Sequence, residues 1–255
     1  MSDLPAGPSF RLDGKRALIT GAGRGIGLAA ASSLAEYGAS VVLIARSVEE
    51  IDRGAAAIRA RGFEAEALQL DVTDIDAVES ALERAGPCDI LVNNAGCNRP
   101  GPFTDATVAD FDTVMALNVR AAYFVAQACA RNMIAAGRKG SMIHMSSQMG
   151  HVGGLNRTLY CASKWAMEGM SKAMALDLAS HGIRSNTIAP TFIETEMTSP
   201  FFADEAFKAS VLGKIKTGRL GQVGDLTGAV VFLASDASAL MTGTSIVVDG
   251  GWTAD

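Results

Sequence analysis

The chain carries no surplus of positive charge: 22 Lys and Arg against 27 Asp and Glu leave a formal net charge of -5 over 255 residues. That excludes a broad basic surface for nucleic acid or an anionic membrane, so any cation that matters must act locally. Cysteine is scarce, and Cys88, Cys97, Cys129 and Cys161 show neither metal-ligand spacing nor a small secreted disulfide framework. They read as reduced thiols of a cytoplasmic protein. The three histidines, His144, His151 and His181, are too scattered to suggest a zinc site, and no metal is expected. No stretch is a credible membrane span, and residues 1–8 lack the charged and apolar regions of a secretory signal. Residues 1–11 read as a flexible arm.

What is present is apolar. Hydrophobic residues make up 49% of the chain and charged ones 19%, enough to fill a large core and incompatible with disorder. Short apolar runs at 16–20, 40–45, 65–70, 89–92, 142–145, 184–188 and 245–248 alternate with longer amphipathic stretches. Near-continuous apolar strands separated by helices predict a parallel sheet covered on both faces, and right-handed crossovers then give an α/β doubly wound fold. No linker or repeat divides residues 12–255, which read as one domain. The interval 191–221 departs from the alternation and carries Phe192, Phe201, Phe202 and Phe207 among polar residues. It is either a mobile cover over a pocket or a packed helical insertion.

After the first strand, Thr20-Gly21-Ala22-Gly23-Arg24-Gly25-Ile26-Gly27 opens an alanine-rich helix. A strand-to-helix turn without Cβ atoms lets a pyrophosphate approach the backbone, where free amides and the helix dipole favour negative charge. Gly21, Gly23, Arg24, Gly25, Ile26 and Gly27 are therefore candidate nucleotide contacts. The second strand ends Ile44-Ala45-Arg46-Ser47 with no acid at its tip. Arg46 and Arg24 could flank a ribose 2′-phosphate, which favours NADP(H), with NAD(H) as the alternative.

Farther along, Tyr160 and Lys164 stand one helical turn apart, with Ser147 thirteen residues upstream of the tyrosine. Positions i and i+4 share a helix face, so the ammonium can approach the phenol. Free tyrosine holds its proton near pH ~10. A unit charge about 5 Å away, at an effective dielectric of about 20, is worth about 3 kcal/mol, or roughly two pK units. The lysine alone leaves the phenol mostly protonated at neutral pH, and a second cation such as an oxidised nicotinamide would complete the shift.

The glycine turn, Asn93-Asn94-Ala95-Gly96, and Ser147 with Tyr160-x-x-x-Lys164 occur in the order and spacing that resemble the short-chain dehydrogenase/reductase superfamily. The likeness runs from Leu12 to Trp252. It implies a three-layer Rossmann fold with seven parallel strands in the order 3-2-1-4-5-6-7. It also implies that Ser147 polarises the substrate oxygen, Tyr160 transfers the proton, and Lys164 lowers the tyrosine pKa and holds the nicotinamide ribose. Asn118 matches the family asparagine of a water-linked proton path. Asn93, Ala95 and Gly96 would steady the sheet and border the adenosine ribose, while Asp71 and Val72 would meet the adenine. Pro190, Ile193 and Thr195 resemble the nicotinamide-side loop, although Thr191 stands where the family commonly has glycine. A homotetramer follows by the same likeness.

The expected activity is NAD(P)-dependent interconversion of a small-molecule carbonyl and a secondary alcohol by hydride transfer. The segments 97–103, 148–157 and 191–221 would surround the substrate, offering Arg99, Gln148, His151, Asn156 and Arg157 beside Met149, Phe192 and Phe201. That mixture suits a polyol or sugar acid. The alternatives are a 3-oxoacyl thioester reductase and a non-catalytic nucleotide-binding regulator.

Overall fold

Strands β1 (Arg16–Thr20), β2 (Ser40–Ala45), β3 (Ala65–Gln69), β4 (Ile90–Asn93), β5 (Gly140–Met145), β6 (Ile183–Pro190) and β7 (Ser245–Val248) form one parallel sheet in a computed structural model. Their order is β3-β2-β1-β4-β5-β6-β7, the expected doubly wound arrangement. Residues 7–196 and 198–254 are described, without the side chains of Pro200 and Phe201. Residues 1–6 of the expected arm, and the Phe201 side chain expected near the substrate, lie outside that description.

Helices α1 (Gly25–Glu36), α2 (Val48–Ala60), α3 (Ile75–Ala85), α4 (Val108–Met115), α5 (Ala122–Ala135), α6 (Thr158–Leu178), α7 (Glu205–Lys214) and α8 (Gly224–Ala234) complete the fold. Alternation along each strand sorts the core. Ala17 and Ile19 of β1 join Leu34 of α1 and Val230 of α8 on one face, while Leu18 joins Leu82 of α3 and Met133 of α5 on the other. Each such Leu, Ile or Met, fully buried, contributes roughly 1.5–3 kcal/mol.

Strand ends differ slightly from expectation. β5 starts at Gly140, because Gly140 and Ser141 pair with β6 through backbone alone and leave no apolar signature. It stops at Met145, so Ser147 stands beyond the strand, where its side chain accepts from Met149 N at the start of a short 3-10 turn. Several helix starts are closed by their own side chains: Ser47 caps α2, Asp74 caps α3, and Thr107 with Asp110 forms a capping box on α4. α1 is different. It follows Arg24 with no side-chain cap and no acid in its first turn, so its leading amides are left to another partner.

The interval 191–221 is packed, with helical turns around its own small core. Val211, Ile215 and Leu220 are buried in it, and Phe192 meets Phe202, Phe207 and Trp252 at ring separations of 6.0, 5.7 and 5.7 Å. Its ends are tied together where Glu194 N donates to Gly221 O at 2.8 Å and Gly221 N donates to Phe192 O at 3.0 Å.

Candidate active site

The glycine turn is held by side chains that leave no room for larger residues. Asn94 Nδ2 donates to the Thr20 and Gly21 carbonyls at 3.0 and 3.1 Å, while Thr20 Oγ1 accepts from the Asn94 and Ala95 amides at 3.0 and 3.1 Å. A Cβ on Gly27 would fall 2.3 Å from Gly21 O, and Gly21 itself has φ +63°, a left-handed value that glycine adopts at little cost. The turn thus presents backbone, including the uncapped start of α1, at the carboxyl edge of the sheet. Thr195 reaches it from the other side: a Cβ on Gly25 would meet Thr195 Cγ2 at 3.5 Å. A tight glycine turn, free helix amides and a threonine facing them fit a dinucleotide pyrophosphate.

The two arginines expected at a 2′-phosphate are both exposed, but neither stands alone. Arg24 pairs with Glu50 at 2.8 Å, and Arg46 lies 4.0 Å from Asp71. Glu50 comes from the first turn of α2, where its charge also suits the helix dipole, a placement that the spacing from Arg24 does not reveal. Asp71 accepts from Thr73 N and Oγ1 and does not cap α3, a task that falls to Asp74.

Asn93 is a structural residue of the sheet. Its Nδ2 donates to Ala122 O at 2.7 Å and sits 3.5 Å from His144 Nδ1. His144 is fully buried, and desolvation lowers it to about 4, so it is neutral. Asn118 lies in a π-helical segment, Ala116–Ala121, between α4 and α5. Such one-turn distortions often mark functional sites. Its Oδ1 accepts from Cys97 N at 2.8 Å, and its Nδ2 donates to Cys97 O at 2.9 Å and Ser163 Oγ at 3.0 Å. A Cβ on Gly96 would be 3.3 Å from Asn118 Oδ1 and 3.8 Å from Lys164 Nζ, which places the asparagine beside the lysine.

Tyr160 and Lys164 share a face of α6, with Lys164 Nζ 5.4 Å from the Tyr160 ring centroid and donating to Met145 O at 2.7 Å. Burial strips water from the ammonium and lowers Lys164 from 10.5 to about 8, with Cys97 and Glu168 pulling the other way. Burial pushes the Tyr160 phenol up to about 12, and a hydrogen bond with Ser147 draws it partly back. Desolvation of the phenolate is the largest cause of that shift. The resting tyrosine is therefore a proton donor. Of the two adjacent serines, Ser147 is the one whose side chain acts on the phenol; Ser146 Oγ is buried without a partner.

Residues 21–253 match the family model described as enoyl-(acyl carrier protein) reductase. Gluconate 5-dehydrogenase of Gluconobacter oxydans is 44% identical over 248 residues, 96% of each chain. D-erythrulose reductase of Gallus gallus is 38% identical over 96% of this chain and 98% of its own. The crystal structure of a gluconate 5-dehydrogenase from Burkholderia cenocepacia, in complex with NADP and tartrate, superposes with a TM-score of 0.93. It is 41% identical and covers 96% of this chain and 98% of that one. The chain belongs to the short-chain dehydrogenase/reductase superfamily.

As a short-chain dehydrogenase/reductase it is an NAD(P)-dependent oxidoreductase acting between a carbonyl and a secondary alcohol. The fold brings the glycine turn, Asn118, Ser147, Tyr160 and Lys164 to the carboxyl ends of the central strands. Pro190 O, at the end of β6, lies 3.5 Å from Ser147 Oγ, and Thr195 beyond it faces Gly25 of the glycine turn. Three features were missed in the sequence. Thr20 and Asn94 brace the glycine turn, and their separation in sequence hides the contact. Glu50 answers Arg24. Glu168 is buried one turn past Lys164, accepting from Thr187 Oγ1 at 2.9 Å and lying 3.4 Å from His151 Nε2. The i+4 spacing of Glu168 from Lys164 was the one available signal.

Proposed function

We propose that the protein is an NADP(H)-dependent reductase and dehydrogenase of polyols or sugar acids. The observation that carries the reading is Tyr160 grouped with Ser147, one turn from the buried Lys164, at the mouth of a glycine turn with open helix amides. Ser147 and Tyr160 both donate to the substrate carbonyl oxygen, and Tyr160 transfers its proton as that oxygen becomes an alkoxide. Lys164 supplies the adjacent positive charge, and Asn118 holds the 97 loop and α6 around it, in support of a water-linked path to the lysine. Bound NADP(H) supplies or accepts the hydride. Gly21, Gly23, Gly25, Ile26, Gly27 and Thr195 would hold its pyrophosphate, and Asp71, Val72, Asn93, Ala95 and Gly96 would border its adenosine. Pro190 and Ile193 would face its nicotinamide side, with the 191–221 insertion closing over the substrate.

The polyol or sugar-acid assignment is supported by the gluconate, erythrulose and tartrate named for the similar proteins. It is also supported by Arg157, a buried cation at the head of α6 whose charge acts on Tyr160. Turnover of a panel of ketoses, sugar acids, simple ketones and a 3-oxoacyl thioester with NADPH and NADH tests the reading. Preference for the thioester, or no turnover of any member, would overturn it.

Arg46 supports NADP(H). Arg46→Ala is expected to lower kcat/KM for NADPH by roughly 10- to 100-fold, the loss of one charge-assisted contact, with little change for NADH. Equal losses with both cofactors would remove Arg46 from the phosphate site. Assembly as a homotetramer is supported by Trp165 and Leu176 of α6 and Val247 on edge strand β7, large apolar side chains exposed in the single chain. Sedimentation at four times the chain mass is expected, and a monomer would contradict it. No helix among the described residues is long and apolar enough to cross a membrane. We place the protein in the cytoplasm, a reading supported by the spacing of its cysteines and testable by fractionation.

A further inference from the structure

Gln148 follows the serine that holds the reacting oxygen, and it occupies that serine. Ser147 Oγ donates to Gln148 Oε1 at 2.7 Å, and both residues are buried, Gln148 at 2% exposure. The donor arithmetic is tight. A hydroxyl has one proton and two lone pairs. Ser147 Oγ accepts from Met149 N at 3.2 Å, and it has only one proton to give. Its single proton is aimed at Gln148, and the other acceptor near it, Pro190 O, is at 3.5 Å. A substrate carbonyl oxygen can only accept. For Ser147 to serve it, Gln148 Oε1 must give up its donor, and a buried amide oxygen left without one slows the reaction by roughly ten- to a hundredfold.

We propose that Gln148 reads the hydroxyl on the carbon next to the reacting one. That hydroxyl replaces Ser147 as the donor to Gln148 Oε1 and releases the serine proton to the carbonyl, so the site selects α-hydroxy ketones and vicinal diols over simple ketones and alcohols. This rests on the carbonyl–alcohol reading above and narrows its substrate class. The geometry suits it, because vicinal oxygens in a gauche arrangement are separated by about the length of a hydrogen bond, as are Ser147 Oγ and Gln148 Oε1. No covalent bond changes in the exchange: Ser147 keeps its proton and turns it, and the substrate hydroxyl keeps its own. Asn98 Oδ1 and Thr191 Oγ1, in the segments after β4 and β6, are also buried without partners. Buried polar atoms are nearly always paired, so these two suit a ligand that brings further hydroxyls.

Hydroxyacetone and butanone form a matched pair, differing by a hydroxyl against a methyl beside the carbonyl. The wild type is expected to favour hydroxyacetone in kcat/KM by about 100-fold, as a site built to pair a hydroxyl does. Gln148→Met keeps the length of the side chain and removes the acceptor. It is expected to gain on butanone and lose on hydroxyacetone, reducing the ratio at least about tenfold. A gain on butanone cannot come from a misfolded protein or from a merely structural role. Gln148→Glu, which keeps an acceptor at the same reach, is expected to retain the preference. An unchanged ratio in Gln148→Met, or equal losses on both ketones, would overturn the proposal while leaving the carbonyl–alcohol reading intact. A wild type inert toward every carbonyl compound would overturn both.

Discussion

Tyr160→Phe is expected to lower turnover in both directions by about 100- to 10,000-fold, the usual worth of a positioned general acid or base, while NADPH still binds and the fold persists. The substitution removes one oxygen and leaves the half-buried ring on α6. What it removes is the proton itself. With the phenol at about 12, Tyr160 is protonated throughout the neutral range and ready to donate during reduction. Oxidation needs the phenolate, whose population rises about tenfold per pH unit below the pKa. The oxidative kcat/KM is therefore expected to climb with pH and level where the complex titrates, while the reductive one shows no such climb. Initial rates across pH with both enzymes check this. A Tyr160→Phe enzyme with near-wild-type rates would remove tyrosine from the reaction.

Lys164→Met is expected to abolish most turnover and at the same time to stabilise the protein. In the folded chain Lys164 falls from 10.5 to about 8 because its ammonium is buried. The sign follows from linkage: between those values the unfolded chain binds more protons than the folded one, so wild-type stability rises as pH increases from about 8 to about 10.5. Below that window the buried charge costs about 3 kcal/mol, from roughly 2.5 pK units at 1.36 kcal/mol each. Loss of the charge-assisted bond to Met145 O offsets about 1.5–3 kcal/mol of the relief, which leaves a gain of roughly 0.5–2 kcal/mol at neutral pH. Urea unfolding near pH 7 and near pH 10.5 measures both. The variant should be the more stable at the lower pH and lose its advantage at the higher. A variant destabilised at neutral pH would show that Lys164 holds the site together and carries no such strain.

The same two residues show how far the sequence could be read. Their i+4 spacing put them on one helix face, near-continuous apolar strands pointed to the parallel sheet that presents them, and the family resemblance supplied the strand order. Bounds blurred where backbone pairing needs no apolar side chain, as at Gly140 and Ser141 of β5. Spacing gives the distance of a charge but not the desolvation of the phenol or the Met145 carbonyl that holds the lysine. Contacts between distant segments were also hidden. Arg24 with Glu50, Asn118 with Cys97 and Ser163, and the Thr20–Asn94 brace depend on crossovers that bring remote residues together. Gln148 was visible as a polar residue after Ser147, but its hold on the serine hydroxyl depends on the turn that follows β5.

The most direct test is to supply NADPH carrying deuterium at the transferable nicotinamide position, together with a ketose, and to locate the label in the product by nuclear magnetic resonance. Deuterium on the new carbinol carbon of a polyol is the predicted result. Consumption of the cofactor with no label at that carbon, or labelling of an enoyl thioester while ketoses are left untouched, would contradict it.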